Sequence, residues 1–243
     1  VGIMPTQLNG RTCDMDPIMD TAHKHGLFVV EDAAQALGSR FKGQHAGTFG
    51  HAAAFSFFPA KVLGCLGDGG GVVTDDAQLF DRIYQLHDHG RDTSGETRSW
   101  GRNSRLDNLQ AAILNYRLES YADVIERRRT IAGRYQELLG DVEQLRLPPA
   151  PDANPDHFDV YQNYELEADR RDELKEHLAA SGIGTLIQWG GKAVHQWERL
   201  GFNVRLPKTE RFFERCLMLP INMFISDEDV EYVASTIRSF YLS

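Results

Sequence analysis

Basic charge is in short supply along this chain: 26 Lys plus Arg stand against 35 Asp plus Glu, a formal net charge of −9. That balance argues against a nucleic-acid partner, whose footprint is a basic surface. Long apolar runs are missing too. No stretch approaches the roughly 20 residues that a bilayer span needs, so no membrane partner is expected. Cysteine is scarce: Cys13, Cys65 and Cys216 are far apart, odd in number and form no CxxC pair. This argues against a disulfide framework or a zinc knuckle and for a reducing, cytoplasmic setting. No HExxH or GxSxG word occurs, so zinc-protease and nucleophile-elbow mechanisms have no handle. The glycine-rich segment 64–71 lacks the GK[ST] ending of a phosphate loop and precedes a strand, so it reads as a tight loop. The nine histidines are scattered over many elements, and no metal site is expected.

What remains is a folded globular composition, 42% hydrophobic and 25% charged. The opening residues, Val1 to Pro5, read as the end of a buried strand, which suggests a chain entered in mid-element. Residues 16–26 predict a helix with Asp16 as cap, Pro17 in its first turn and Gly26 at its end. Residues 27–30, 52–57 and 71–74 are apolar runs of the kind found in strands covered on both faces. Residues 75–87 read as a helix between such strands. This alternation predicts an α/β fold with a mostly parallel sheet. Residues 106–139 form the longest helical stretch, with a break expected at Gly133 and a buried face of Leu106, Leu109, Ile113 and Tyr116. Arg127 to Arg129 read as a solvated helix face. The Pro-rich segment 147–155 is the clearest linker. It predicts a large domain over 1–146 and a smaller α+β domain over 156–243, with strands at 161–166 and 183–189 and helices at 170–180 and 227–240. Ser226 is the candidate cap of the last helix.

Two polar residues stand where apolar strands end: Asp32 after 27–31, and Lys61 shortly after 55–58. In open α/β sheets ligands bind beyond the carboxyl ends of the strands, so an acid and an amine there can converge on one ligand. A structural ion pair is the alternative that spacing alone leaves open.

The words around them are specific in combination. VEDAAQALG at 30–38, SFFPAKVLGCLGDGG at 56–70 and WGRNSRLDNLQAAIL at 100–114 occur in the order of the DegT/StrS-type sugar-nucleotide aminotransferases, which the chain resembles throughout. Leu217 to Pro220 and the helix at 227–240 fit that family's closing region. The resemblance implies the pyridoxal 5'-phosphate-dependent fold type I, with a mostly parallel central sheet flanked by helices on both faces and a smaller C-terminal α+β domain. It implies that Lys61 is the Schiff-base lysine and proton carrier, and that Asp32 faces the pyridine nitrogen. Ala34 would lie against one ring face, Gln35 near the ring hydroxyl, and Ser56 on the phosphate. Asn103 would reach the cofactor of a neighbouring subunit, since family sites are built in homodimers. Arg105, Lys192 and His195 are the substrate-side candidates. The resemblance implies a cytoplasmic enzyme that moves an amino group, from L-glutamate, onto a nucleotide-linked keto sugar. The NSRLD wording at 103–107 resembles relatives that aminate the 3-keto position. A related deoxysugar dehydratase, a cofactor-binding regulator and a non-catalytic truncated member are the alternatives. Family members are longer at the N-terminus. The resemblance therefore predicts that a phosphate-seating turn, a ring-stacking aromatic and further strands of the large sheet lie before Val1.

Overall fold

A computed structural model describes residues 1–242 of the chain. In chain order its elements are β1 (Gly2–Ile3), α1 (Met15–His25), β2 (Phe28–Asp32), β3 (Arg40–Phe41), β4 (Gln44–His45), β5 (Ala52–Ser56), β6 (Gly70–Val73), α2 (Ala77–His87) and α3 (Asn108–Leu118). There follow α4 (Tyr121–Leu139), β7 (Leu145–Arg146), β8 (His157–Phe158), β9 (Tyr164–Ala168), α5 (Arg171–Ala180), α6 (Pro207–Arg215), β10 (Cys216–Leu219) and α7 (Asp227–Leu242). The described residues form two compact units, 1–125 with 154–162, and 126–153 with 163–242. The division falls inside α4, whereas the sequence reading divides the chain at the Pro-rich segment 147–155. Prolines break regular structure locally, but where a segment packs is decided by its pairing partners, and β8 pairs within the first unit.

The first unit is built on a four-stranded sheet of order β1-β2-β5-β6. β1, β2 and β5 run parallel, with Gly2 opposite Phe28 and Val30 opposite Ala52, and β6 is the antiparallel edge. α1 makes the crossover between β1 and β2. It begins one residue before Asp16, with Asp14 in the cap position, and stops at Gly26, whose φ of 60° is left-handed and costs a glycine little. Val29, Ala33, Ala52 and Ala53 are buried where the parallel strands meet. A small antiparallel sheet, β4-β3-β8, joins Arg40 to Phe158 and brings residues beyond the Pro-rich stretch into this unit.

The second unit is an antiparallel sheet, β10-β9-β7, with α5, α6, α7 and the later part of α4. Tyr164, Leu166, Leu174, Leu217 and Ile237 form its buried centre. α7 carries a reciprocal cap: Asp229 N–H donates to Ser226 Oγ at 3.0 Å, and Ser226 N–H to Asp229 Oδ2 at 3.1 Å.

Four sequence expectations are corrected. The 106–139 stretch is two helices that part at Glu119 and Ser120, not at Gly133. The Ser120 carbonyl accepts the opening bond of α4 from Val124 N–H, and the Ser120 hydroxyl donates to the Arg117 carbonyl at the end of α3. The buried residue of α3 is Leu114, while Leu109 and Tyr116 are 71% and 75% exposed. Arg128 and Arg129 are buried rather than solvated, with Arg129 paired to Asp152 and Arg127 to Asp227. Residues 183–189 make a single bridge, Leu186 to Met218, and then turn through Trp189 and Gly190 at positive φ. The glycines at 182, 184, 190 and 191 supply no side chains to pack on a sheet face, which leaves a strand there little to bury.

Candidate active site

Asp32 closes β2 with its backbone bonded on both sides. Its N–H donates to the Pro5 carbonyl at 2.9 Å, and its carbonyl accepts from Gln7 N–H at 2.9 Å. Its Oδ1 accepts from Ala34 N–H at 3.2 Å, an Asx turn that bends the chain away from the sheet and leaves the carboxylate at the strand end. Glu31, one residue earlier, is fully buried. Its Oε1 takes the N–H groups of Phe49 and Gly50, and its Oε2 takes Gly47 N–H and Gln7 Nε2, all between 2.7 and 2.9 Å. Gln35 Oε1 accepts from Asn9 N–H at 2.8 Å, which leaves the amide NH2 as the donor end of that side chain.

Lys61 lies between β5 and β6, where 57–69 form no helix or strand. The backbone groups of such a segment need partners from elsewhere. Lys61 N–H donates to the Phe58 carbonyl at 2.9 Å, and Cys65 N–H to the Phe57 carbonyl at 2.8 Å. A Cβ on Gly64 would come within 2.6 Å of the Phe58 carbonyl oxygen, so the turn closes only around glycine. Leu66 N–H donates to Gln110 Oε1 at 2.8 Å, and Arg117 Nη1 donates to the Gly64 carbonyl. Gln110, Leu114 and Arg117 share one stripe of α3, and Leu114 packs with Leu63 and Cys65. Finally, Val62 N–H donates to Gln162 Oε1 and Gln162 Nε2 donates to the Ala60 carbonyl, both at 2.9 Å.

Burial lowers the Lys61 amine below the ordinary lysine value, and the Asp32 carboxylate opposes this by favouring the ammonium. The Asp32 charge thus acts on the Lys61 amine from the end of the neighbouring strand. An amine made less basic by burial is neutral at lower pH and becomes a better nucleophile. Ser56 Oγ accepts from Phe58 N–H at 3.3 Å, and its hydroxyl can still donate.

The other expected residues have partners of their own. Asn103 and Arg105 are exposed in the segment before α3. Arg105 Nε donates to Asn103 Oδ1 at 3.1 Å and its guanidinium faces Asp88 at 3.5 Å. Among the described residues no hydrogen bond joins either to Asp32 or Lys61. Lys192 and His195 belong to the second unit. There Lys192 lies 5.4 Å from the Trp197 ring centre, and buried His195 bonds Glu210 at 3.2 Å. Sequence reasoning missed Gln110, Arg117, Gln162 and Glu31. The available signal was a polar amide and a cation on an otherwise apolar helix stripe.

Pyridoxal 5'-phosphate asks for an amine at its aldehyde, a carboxylate at its ring nitrogen, donors for its phenolic oxygen and phosphate, and room at the ring face. Lys61, Asp32, the Gln35 amide, the Ser56 hydroxyl and the single-carbon side chain of Ala34 supply groups of each of these kinds, and in their chemistry they fit the cofactor.

The chain matches the DegT/DnrJ/EryC1/StrS aminotransferase family over residues 1–238. It is 36% identical to a dTDP-3-amino-3,4,6-trideoxy-alpha-D-glucose transaminase of Streptomyces venezuelae, with 98% of this chain and 63% of that protein covered. It is 38% identical to a UDP-N-acetyl-3-dehydro-alpha-D-glucosamine 3-aminotransferase of Acidithiobacillus ferrooxidans, covering 97% of this chain and 63% of that one. The crystal structure of S. venezuelae DesV, solved with a ketimine intermediate, superimposes with a TM-score of 0.93 at 36% identity, over 100% of this chain and 65% of DesV. The chain therefore spans about two thirds of the length of the relatives it matches. On sequence and on fold alike, the chain belongs to the DegT/DnrJ/EryC1/StrS aminotransferase family.

Proposed function

We propose that the protein is a pyridoxal 5'-phosphate-dependent aminotransferase that places an amino group, drawn from L-glutamate, on a keto sugar carried by a nucleotide. The observation that carries this reading is the half-buried Lys61, its amine made less basic by burial and countered by Asp32 at the next strand end. Family membership supports the cofactor, since the family is pyridoxal-phosphate-dependent. When bound, the cofactor supplies an electron-withdrawing ring that lets a proton leave the carbon bearing the amino group. Asp32 holds a proton on the ring nitrogen by presenting a negative charge to it. Lys61 would hold the cofactor through Nζ, and its amine, when free, would be the group that takes up and returns a proton at the reacting carbon. Gln35 donates its amide to the ring hydroxyl oxygen, Ser56 its hydroxyl to the phosphate, and Ala34 leaves space at the ring face. Asn103 serves the phosphate of a second copy's cofactor, with Arg105, Lys192 and His195 on the substrate side of the site. The working form is a homodimer in the cytoplasm. Amination at sugar carbon 3 is favoured by the 103–107 wording and by the names of the two transaminase relatives given above.

The test is an absorption spectrum of the purified protein with pyridoxal 5'-phosphate, before and after L-glutamate. The visible band should form, then convert on adding the donor, and Lys61→Ala should lose both the band and turnover. A Lys61→Ala protein that still transaminates would overturn the assignment.

A further inference from the structure

Gln162 is buried, 8% exposed, and lies a hundred residues beyond the turn it touches. Its Nε2 donates to the Ala60 carbonyl and its Oε1 accepts from Val62 N–H, both at 2.9 Å. The first of these groups belongs to the peptide plane before the Lys61 Cα and the second to the plane after it. The rotations of those two planes about that Cα are the φ and ψ of Lys61. One carboxamide therefore holds both backbone dihedrals of the residue that carries the amine. Among side chains of this length only glutamine donates and accepts through one uncharged group. Glutamate lacks the donor and asparagine lacks the reach to span both planes.

Gln162 is in turn held by its own approach to the first unit. Val160 N–H donates to the Gly10 carbonyl at 2.8 Å, and β8 pairs with β3. A Cβ on Gly10, whose φ is +89°, would come within 2.6 Å of the Gln162 nitrogen. Tyr161, immediately before, takes a left-handed φ of 50°, uncommon for a residue of its size. A strained residue kept beside a hydrogen-bonded clamp is the kind of local cost that surrounding structure must enforce.

We propose that Gln162 is a positioning residue of the reaction: it sets the backbone of Lys61 and so aims the lysine amine at the end of β2, where Asp32 stands. This rests on the reading of Lys61 as the cofactor-bearing lysine, and the test separates the two.

Gln162→Met keeps the side-chain length without either hydrogen bond, and Gln162→Glu keeps only the acceptor. Three readouts apply to the purified protein: peptide-resolved amide hydrogen exchange, competitive acetylation of Lys61 by acetic anhydride across pH, and the borohydride-stable adduct of pyridoxal 5'-phosphate located by mass spectrometry. Asp32 is the charged group that acts on Lys61, and it is common to all variants. The expected result for Gln162→Met has three parts. Exchange rises at 58–66 and not across the rest of the core. The Lys61 acetylation midpoint moves up toward that of an ordinary lysine. The Lys61 adduct forms about tenfold more slowly, because small misplacements of a reacting group are costly. Gln162→Glu should fall between, and it carries the comparison if the Met variant exchanges freely throughout. A folded Gln162→Met protein with the parent's acetylation profile and adduct rate would overturn the proposal. A parent protein that forms no adduct at Lys61 would instead sink the reading of Lys61, with the clamp still judged by exchange and acetylation.

Discussion

Glu31 and Asp32 follow one another in β2, and the alternation of a strand sends their carboxylates to opposite faces. The buried Glu31 carboxylate takes three backbone N–H groups and one amide, so its oxygens are saturated by uncharged donors. Gln at that position would aim an NH2 at backbone donors. Glu31→Gln should therefore cost about 3 kcal/mol of stability, read from the denaturant midpoint, with the 46–50 turn loosened first. Asp32 acts at a distance on an amine. Burial lowers the Lys61 value and the Asp32 charge raises it, so removing that charge removes the opposing influence. Asp32→Asn is thus expected to shift the Lys61 acetylation midpoint further down and to leave the amine neutral over a wider pH range. On the proposed assignment, turnover should nevertheless fall on the order of a hundredfold, because the ring nitrogen would lose its partner charge. An upward shift of the midpoint would contradict this account. The places of Asp32 and Lys61 at or just past the ends of two apolar strands were readable from the sequence, because the carboxyl ends of such strands are identifiable without knowing the packing. Gln162 was not, since nothing local marks a glutamine whose two partners lie a hundred residues earlier.

Elements whose signals are local matched expectation closely. Gly26 stops α1, Ser226 caps α7, and the helix expected over 75–87 is α2, which runs from Ala77 to His87. Elements whose faces are chosen by distant partners did not. In α3 the apolar residues run almost all the way round, so periodicity alone could not say that the 110-114-117 stripe meets the Lys61 turn while Leu109 and Tyr116 stay outside. The arginines at 128 and 129 misled in the same way, because a run of cations looks solvated until packing buries it, as Asp152 helps to do for Arg129. β8 offers a test at this scale. His157 packs against the Phe41 ring at 5.0 Å, and burial followed by the Arg11 charge lowers its value below the ordinary 6.5. The folded state therefore resists a proton that the unfolded chain accepts. The stabilising contribution of neutral His157 is intact above about 6.5 and is lost as pH falls from there toward the lowered folded value. Thermal melts of His157→Gln should show a shallower decline between pH 7 and 5.5 than the parent, a window set by the unperturbed histidine value of about 6.5. A parallel decline would exclude His157 as its source.

At the scale of the molecule, α3 leaves Leu109, Tyr116 and Leu118 exposed in the single chain, and Trp100 just before it is 95% exposed. A second copy is the proposed cover. Sedimentation of the purified protein should give a dimer. Leu109→Glu with Tyr116→Glu should shift it toward monomer while the fold, read by circular dichroism, persists. Unchanged dimers would place the interface elsewhere. The first unit has another property that matters before any partner arrives: it is discontinuous, closed by 154–162 after the chain has entered the second unit at 126–153. During synthesis the turn bearing Lys61 emerges long before Gln162 does. Domains generally fold as units as they leave the ribosome, N-terminal first. Here that order is interrupted, so the first unit cannot lock its lysine turn until part of the second has already been made. A break in translation between residues 126 and 153 would release a chain that contains both Asp32 and Lys61 yet lacks the segment that holds them in register.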